Sequence, residues 1–219
     1  MGGSGRRTQL LVRGGAAGAV AFVAIFLVDG ATRPGYSPAR HPVSALSLGS
    51  RGWVQVTSFV VTGLLMVAFA AGLRRSWRSE RAVWGPALIA VFGAGLVVSG
   101  VFAMDPGLGY PPGAPRGVPH EPSAEHQVHD LAGLAVFLSL PAAALVLARR
   151  FRTPPGERTW AIYSAATSLA VLALFAAFAV AWEQQSSMAG VVQRATILVG
   201  WTWLALLSLH VARPEARPS

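Results

Sequence analysis

The sequence predicts an all-α integral membrane bundle of six transmembrane helices, N-in and C-in, with a short interfacial helix and a Pro/Gly-rich cap on its outer face. Three observations carry that prediction. Hydrophobic residues make up 53% of the 219-residue chain and charged residues only 12%, which leaves length for one bundle, residues 1–219, and no separate soluble domain. Six apolar stretches each approach the ~20 residues that a helix needs to cross hydrocarbon, and none has a charge in its middle. The connections alternate between arginine-rich and arginine-poor. Thirteen of the 18 arginines lie in the N-terminus, the second and fourth connections and the C-terminus, which the positive-inside rule assigns to the cytoplasm.

The first span, Gly14–Val28, follows Gly5-Arg6-Arg7-Thr8-Gln9-Leu10-Leu11. This start has the outline of a twin-arginine export signal, but no small-x-small cleavage site follows convincingly and five further spans need an anchored partner, so an uncleaved helix is expected. Gly14 and Gly18 form a Gly-xxx-Gly pair suited to close backbone approach. In the long first connection, His41-Pro42-Val43-Ser44-Ala45-Leu46-Ser47-Leu48 reads as a short interfacial helix, with Pro42 at its first position and Gly49 and Gly52 available to end it. The second span, Trp53–Leu73, runs into the basic turn Arg74-Arg75-Ser76-Trp77-Arg78-Ser79-Glu80-Arg81, and the third, Pro86–Met104, is thinned by Gly93, Gly95 and Gly100.

A second long connection opens with Asp105-Pro106-Gly107-Leu108-Gly109-Tyr110-Pro111-Pro112 and continues through Pro115, Pro119 and Pro122. Loops of this length in a small protein are usually functional or disordered. Here prolines restrict the chain while glycines permit turns, so a folded cap is expected. Ser123 is placed to cap the fourth helix, with Glu125 in its first turn. Pro141 interrupts the fourth span, His129–Leu147, and predicts a kink. A basic turn from Arg149 to Arg158 precedes the fifth span, Trp160–Trp182, and a short polar connection from Glu183 to Gly190 precedes the sixth, Val191–His210.

The formal charge of +9 does not point to nucleic acid, because the arginines are spread over turns and tails beside lipid-spanning helices, where anionic headgroups supply the counter-charge. The absence of cysteine excludes disulfides, thiol nucleophiles and iron–sulfur ligation, and the absence of lysine excludes a Schiff base to retinal or pyridoxal phosphate. An all-arginine, alanine-rich composition fits a GC-rich bacterial genome, so the expected location is the bacterial cytoplasmic membrane, with the lipid bilayer as the main partner.

The predicted orientation brings His41, His120, His126, His129, Asp29, Asp105 and Asp130 to or near the outer face. His126, His129 and Asp130 share one face of a helix through their i, i+3 and i, i+4 relations, and His41 and Ser44 would be neighbours on a helical segment. Histidines near a helix N-terminus are disfavoured in the charged form, which keeps them available as neutral ligands or bases. In a chain without cysteine, His41, His126 and His129 are candidate ligands of a zinc ion, which accepts nitrogen and oxygen donors. Asp105 and Asp130 are candidates for the base or a supporting carboxylate, and Ser44 for an oxyanion donor or water orienter. The structural alternative is that these groups cap helix ends, pair with Arg33, Arg40, Arg51 and Arg116, and pin the third connection. His120 and His210 are expected to have no special role.

These residues, in this order and placement, resemble the bacterial and archaeal membrane family catalogued as domain of unknown function 998: six spans, His41-Pro42-Val43-Ser44 before the second, Asp105-Pro106 with Gly109-Tyr110-Pro111 after the third, and His126-x-x-His129-Asp130 opening the fourth. The resemblance covers about Val12 to Val211 and implies a six-helix fold with an outer polar cluster, but no activity. A weaker similarity, in residue types only, is to membrane hydrolases of the alkaline ceramidase and adiponectin-receptor type, which combine three histidines, an aspartate and a serine on seven spans.

Two functional expectations follow. One is a metal-assisted hydrolase of a lipid or lipid-linked substrate at the outer leaflet. The other, from a different class, is a sensor or assembly factor whose cap binds a partner or responds to external pH through the same histidines. Transport is disfavoured by the lack of mid-membrane charges and of a visible repeat between halves, and a haem relay by the outward placement of every histidine except His210.

Overall fold

Local sequence dictates the six helices of the computed structural model, which describes residues 3–77, 83–119 and 121–213. His120 and the basic positions Arg78, Arg81 and Arg217 lie outside the described residues. The helices are α1, Gly3–Thr32; α2, Gly52–Ser76; α3, Trp84–Val101; α4, Ala124–Arg150; α5, Arg158–Glu183; and α6, Ala189–Val211. All six are long and apolar enough to cross a membrane, as backbone polar groups in lipid require when each must be satisfied within its own segment. No strand occurs among the described residues. Compared with the predicted spans, α3 stops three residues early because Phe102 turns to extended backbone. The short helix before α2 is a 3-10 segment, Val43–Ser47, with Pro42 as its extended N-cap rather than its first helical residue.

Each helix packs on its neighbours in sequence, and α1 against α6 closes the ring. Phe22, Phe26, Met66, Phe69, Phe92, Leu96, Leu140 and Trp203 fill the centre. The backbones of α2 and α3 approach closely, since an added Cβ on Gly63 would lie 2.5 Å from the Gly93 carbonyl oxygen and one on Gly93 would lie 2.6 Å from that of Gly63. On α1 the tight position is Gly15, against Phe69 at 2.6 Å, whereas Gly14 and Gly18 make looser contact with Leu65.

Polar side chains join the helices at points where the apolar packing is interrupted. Ser208 Oγ on α6 donates to Val12 O (2.6 Å) and accepts from Ala16 N–H (2.9 Å), inserting into one rung of the α1 ladder, a substitution that locally opens a helix. Trp203 Nε1 donates to Ser164 Oγ on α5 at 3.0 Å. At the arginine-rich end, His210 sits 3.0 Å from Glu157 and against the Trp160 ring.

Candidate functional site

The opposite end of the bundle carries two distinct polar assemblies, and the residues singled out from the sequence are divided between them. The first is a latch that binds the α1–α2 connection to α6 and to the α3–α4 connection. Asp29, buried near the end of α1, pairs with Arg33 one turn later and with Arg51 just ahead of α2. Arg33 also donates to Leu48 O (2.9 Å) and Tyr110 Oη (3.1 Å). Tyr36, His41 and Tyr110 form a triangle of rings with centroids 5.3 to 5.4 Å apart.

His41 belongs to this latch. Its Nδ1 accepts from Ser37 N–H at 2.9 Å, and its Nε2 lies 3.1 Å from the Leu108 carbonyl. A neutral ring protonated on Nε2 satisfies both contacts, which leaves no lone pair for a metal. Burial, with Arg40 and Arg194 nearby, pulls its protonation below the ordinary histidine range, against the Leu108 contact, which favours the charged form.

Arg194, one turn into α6, is the hub. It is buried, and its guanidinium donates to Pro38 O (2.6 Å), His41 O (3.0 Å), Gly190 O (2.9 Å) and the Tyr36 hydroxyl. Its neighbour Gln193 accepts from Val43 N–H at 2.7 Å. Gly190 leaves space for the same loop carbonyls, since a Cβ there would fall 2.5 Å from Pro38 O and His41 O. Arg194 was not among the sequence candidates. Its signal was legible nonetheless: it is the one arginine inside a predicted span, and an ionisable group there is a functional or structural hub by default.

The second assembly lies at the start of α4. Ser123 caps the helix as expected, its Oγ accepting from His126 N–H at 3.1 Å. Asp105 clasps the cap, its carboxylate accepting from Ser123 N–H and Ser123 Oγ, each at 2.7 Å. Burial works against the Asp105 charge, but the Ser123 donors and the His126 ring outweigh it and hold the carboxyl below its ordinary range. His126 Nδ1 lies 3.2 Å from both the Asp105 backbone nitrogen and Asp105 Oδ2, and its Nε2 is 3.5 Å from Asp130. His129 Nδ1 lies 2.8 Å from Phe102 O, so the ring donates from Nδ1, and the Ser99 carbonyl also engages the ring; in the neutral form Nε2 carries the lone pair.

His126, His129, Asp130 and Ser44 line one cavity of about 460 Å³ between α4, α5, α6 and the 3-10 segment. Phe137, Phe175, Phe178 and Trp182 form its wall, with Phe137 stacked on Phe175 at 4.7 Å. Phe175, Phe178 and Trp182 stand three and four residues apart, on one face of α5, a second signal readable in the sequence. Leu131 and Leu134, exposed on α4, also line the cavity. Sharing Ser44, His129, Gly133, Phe137 and Gln193 with it, a recess of about 50 Å³ reaches Trp201, whose buried indole N–H has no partner among the described residues.

His41 is not part of this cavity, and Asp105 supports His126 without lining it. Among the described residues no group of three or more His, Cys, Asp or Glu side chains is placed to hold a metal ion. What the cavity offers chemically is an aromatic wall, two carboxylates (Asp130 and Glu183), two imidazoles and two neutral polar groups.

A family model described as "Protein of unknown function (DUF998)" matches residues 16–210, nearly the whole chain. No curated protein and no solved structure matches it.

Proposed function

The chain belongs to the DUF998 family, and for this member we propose that the cavity beside α4 and α5 binds an amphiphilic lipid or lipid-linked molecule of the outer leaflet. The observation that carries this reading is the division of one cavity between aromatic and polar side chains, with exposed leucines of an apolar helix, Leu131 and Leu134, among its lining. At about 460 Å³ it falls within the ~300 to 1,000 Å³ of ordinary ligand pockets, which combine mostly apolar linings with a few placed polar groups. Chains from the bilayer can enter from the side without crossing water, and the polar head then meets the histidine end. Positive-inside reading of the arginines puts that end outside.

Gly133 provides the test. It lines the cavity, and a Cβ added there meets nothing within 4 Å, so the side chain of Gly133→Phe starts in open space and its ring occupies part of the cavity. Native mass spectrometry of protein released from mild detergent is expected to find one retained lipid on the wild type and none on the folded variant. Equal retention by both would refute the reading.

Hydrolysis of the bound lipid is a second reading, favoured by one observation: His129 lines the cavity with Nδ1 engaged by Phe102 O, which leaves Nε2 as the acceptor. A base so held can take a proton from water attacking an ester or amide carbonyl. A metal-assisted form of this chemistry loses support, because His41 is engaged on both ring nitrogens. Purified protein that releases fatty acid from mixed lipid extracts, and loses that ability in His129→Gln, would establish hydrolysis; no release by the wild type would leave binding alone.

A further inference from the structure

We propose that the cavity selects lipids whose head group carries a positively charged amine, an inference that rests on the lipid-binding reading above. The charged groups on its rim, other than the histidines, are both carboxylates: Asp130 on α4 and Glu183 at the end of α5. Among the described residues no arginine lines it. Four of the five arginines of this end are directed elsewhere, Arg33 and Arg51 to Asp29, Arg194 to the latch carbonyls and Tyr36, and Arg40 to the Arg116 carbonyl, and the fifth, Arg116, is exposed on the α3–α4 connection and does not line the cavity. A phosphate or carboxylate head would face two like charges with no compensating cation.

The helix ends at the rim do not reverse this preference. The N-termini of α4 and α6 would attract an anion if their first N–H groups were free. The His126 N–H is capped by Ser123 Oγ and the Val191 N–H donates to Ala39 O, while Glu125 and Asp130 add negative charge to the start of α4. The C-terminus of α5, the negative end of its dipole, arrives at the same rim. Asp130 has one contact to His126, at 3.5 Å, so acceptor capacity remains on both carboxylates. Trp182 stands beside Glu183 and 6.2 Å from Phe178, and aromatic faces next to a carboxylate favour ammonium groups. Ser44 and Gln193 contribute neutral polar groups. His126 and His129 would oppose an amine only when protonated.

The experiment uses three probes with one chain length, hexadecylamine, hexadecanol and hexadecyl phosphate, titrated against the full-length protein in maltoside micelles, with occupancy read by native mass spectrometry. The amine is expected to bind about ten-fold more tightly than the alcohol, as two partly exposed charge contacts allow, and the phosphate least well. In Asp130→Asn/Glu183→Gln, both changes at exposed positions, the amine is expected to fall to the affinity of the alcohol. Equal binding of amine and alcohol by the wild type, a preference for phosphate, or an amine preference that survives the double substitution would each overturn the head-group inference while leaving the lipid site intact. Failure of all three probes to bind, or binding undiminished in Gly133→Phe, would overturn the lipid-binding reading itself.

Discussion

Replacing Arg194 with methionine keeps the length and much of the apolar volume of the side chain but removes every guanidinium donor. Four hydrogen bonds disappear, to Pro38 O, His41 O, Gly190 O and the Tyr36 hydroxyl. The acceptors are not equally harmed. His41 O retains a contact from Tyr36 Oη at 3.3 Å, and Gly190 O lies within α6, so Pro38 O and the tyrosine lose most. Hydrogen bonds from a charged donor contribute roughly 1.5 to 3 kcal/mol each, and relief from burying an unpaired cation returns several kcal/mol. A net loss of about 3 kcal/mol in the docking of the α1–α2 connection follows. That loss is read best at the amides it protects: His41 N–H on Ser37 O (2.8 Å), Val43 N–H on Gln193 Oε1 (2.7 Å) and Val191 N–H on Ala39 O (3.1 Å). At 1.4 kcal/mol per decade, hydrogen exchange there should accelerate about 100-fold, with amides at the centre of α2 and α3 unaffected. Exchange within two-fold of wild type at all three positions would show that Arg194 does not hold the latch.

Gly63→Ala places a Cβ 2.5 Å from a backbone carbonyl on α3, which cannot yield as a side-chain end could, so a loss of about 1 to 3 kcal/mol should appear as a lowered thermal midpoint in detergent; an unchanged midpoint would mean that the helices separate freely. For His41, burial and the two nearby arginines lower the folded pKa, so the undocked loop binds the extra proton. Latch stability is therefore complete above about pH 6.5 and declines as pH falls below it, by at most ~1.4 kcal/mol per pH unit. Exchange at the Val43 amide should quicken across that range, and a flat profile down to pH 5 would contradict the assignment. Reporter fusions after Ala114 and Ser187 are expected on the outer side, with those at the termini inside; a cytoplasmic Ala114 would reverse the orientation and move the proposed lipid site to the inner leaflet.

The sequence by itself determined the membrane-spanning helices and their approximate limits, because a segment crossing lipid must satisfy its own backbone and present apolar side chains, and both conditions are local. The cap of α4 was legible for the same reason: Ser123 meets the His126 N–H within a single turn. The short helix before α2 was legible as a turn of helix but not as a 3-10 segment, since packing over the bundle end sets its pitch. The assignment of individual histidines was beyond local reading. His41 looked equivalent to His126 and His129 in type and depth, yet its ring is closed by Leu108, 67 residues away, while His129 keeps a nitrogen lone pair because its other nitrogen is held by Phe102 at the end of a neighbouring helix. Which lone pair is free, and whether a carboxylate clasps a loop as Asp105 does or lines a cavity as Asp130 does, depends on partners brought together only when the ring of six helices closes.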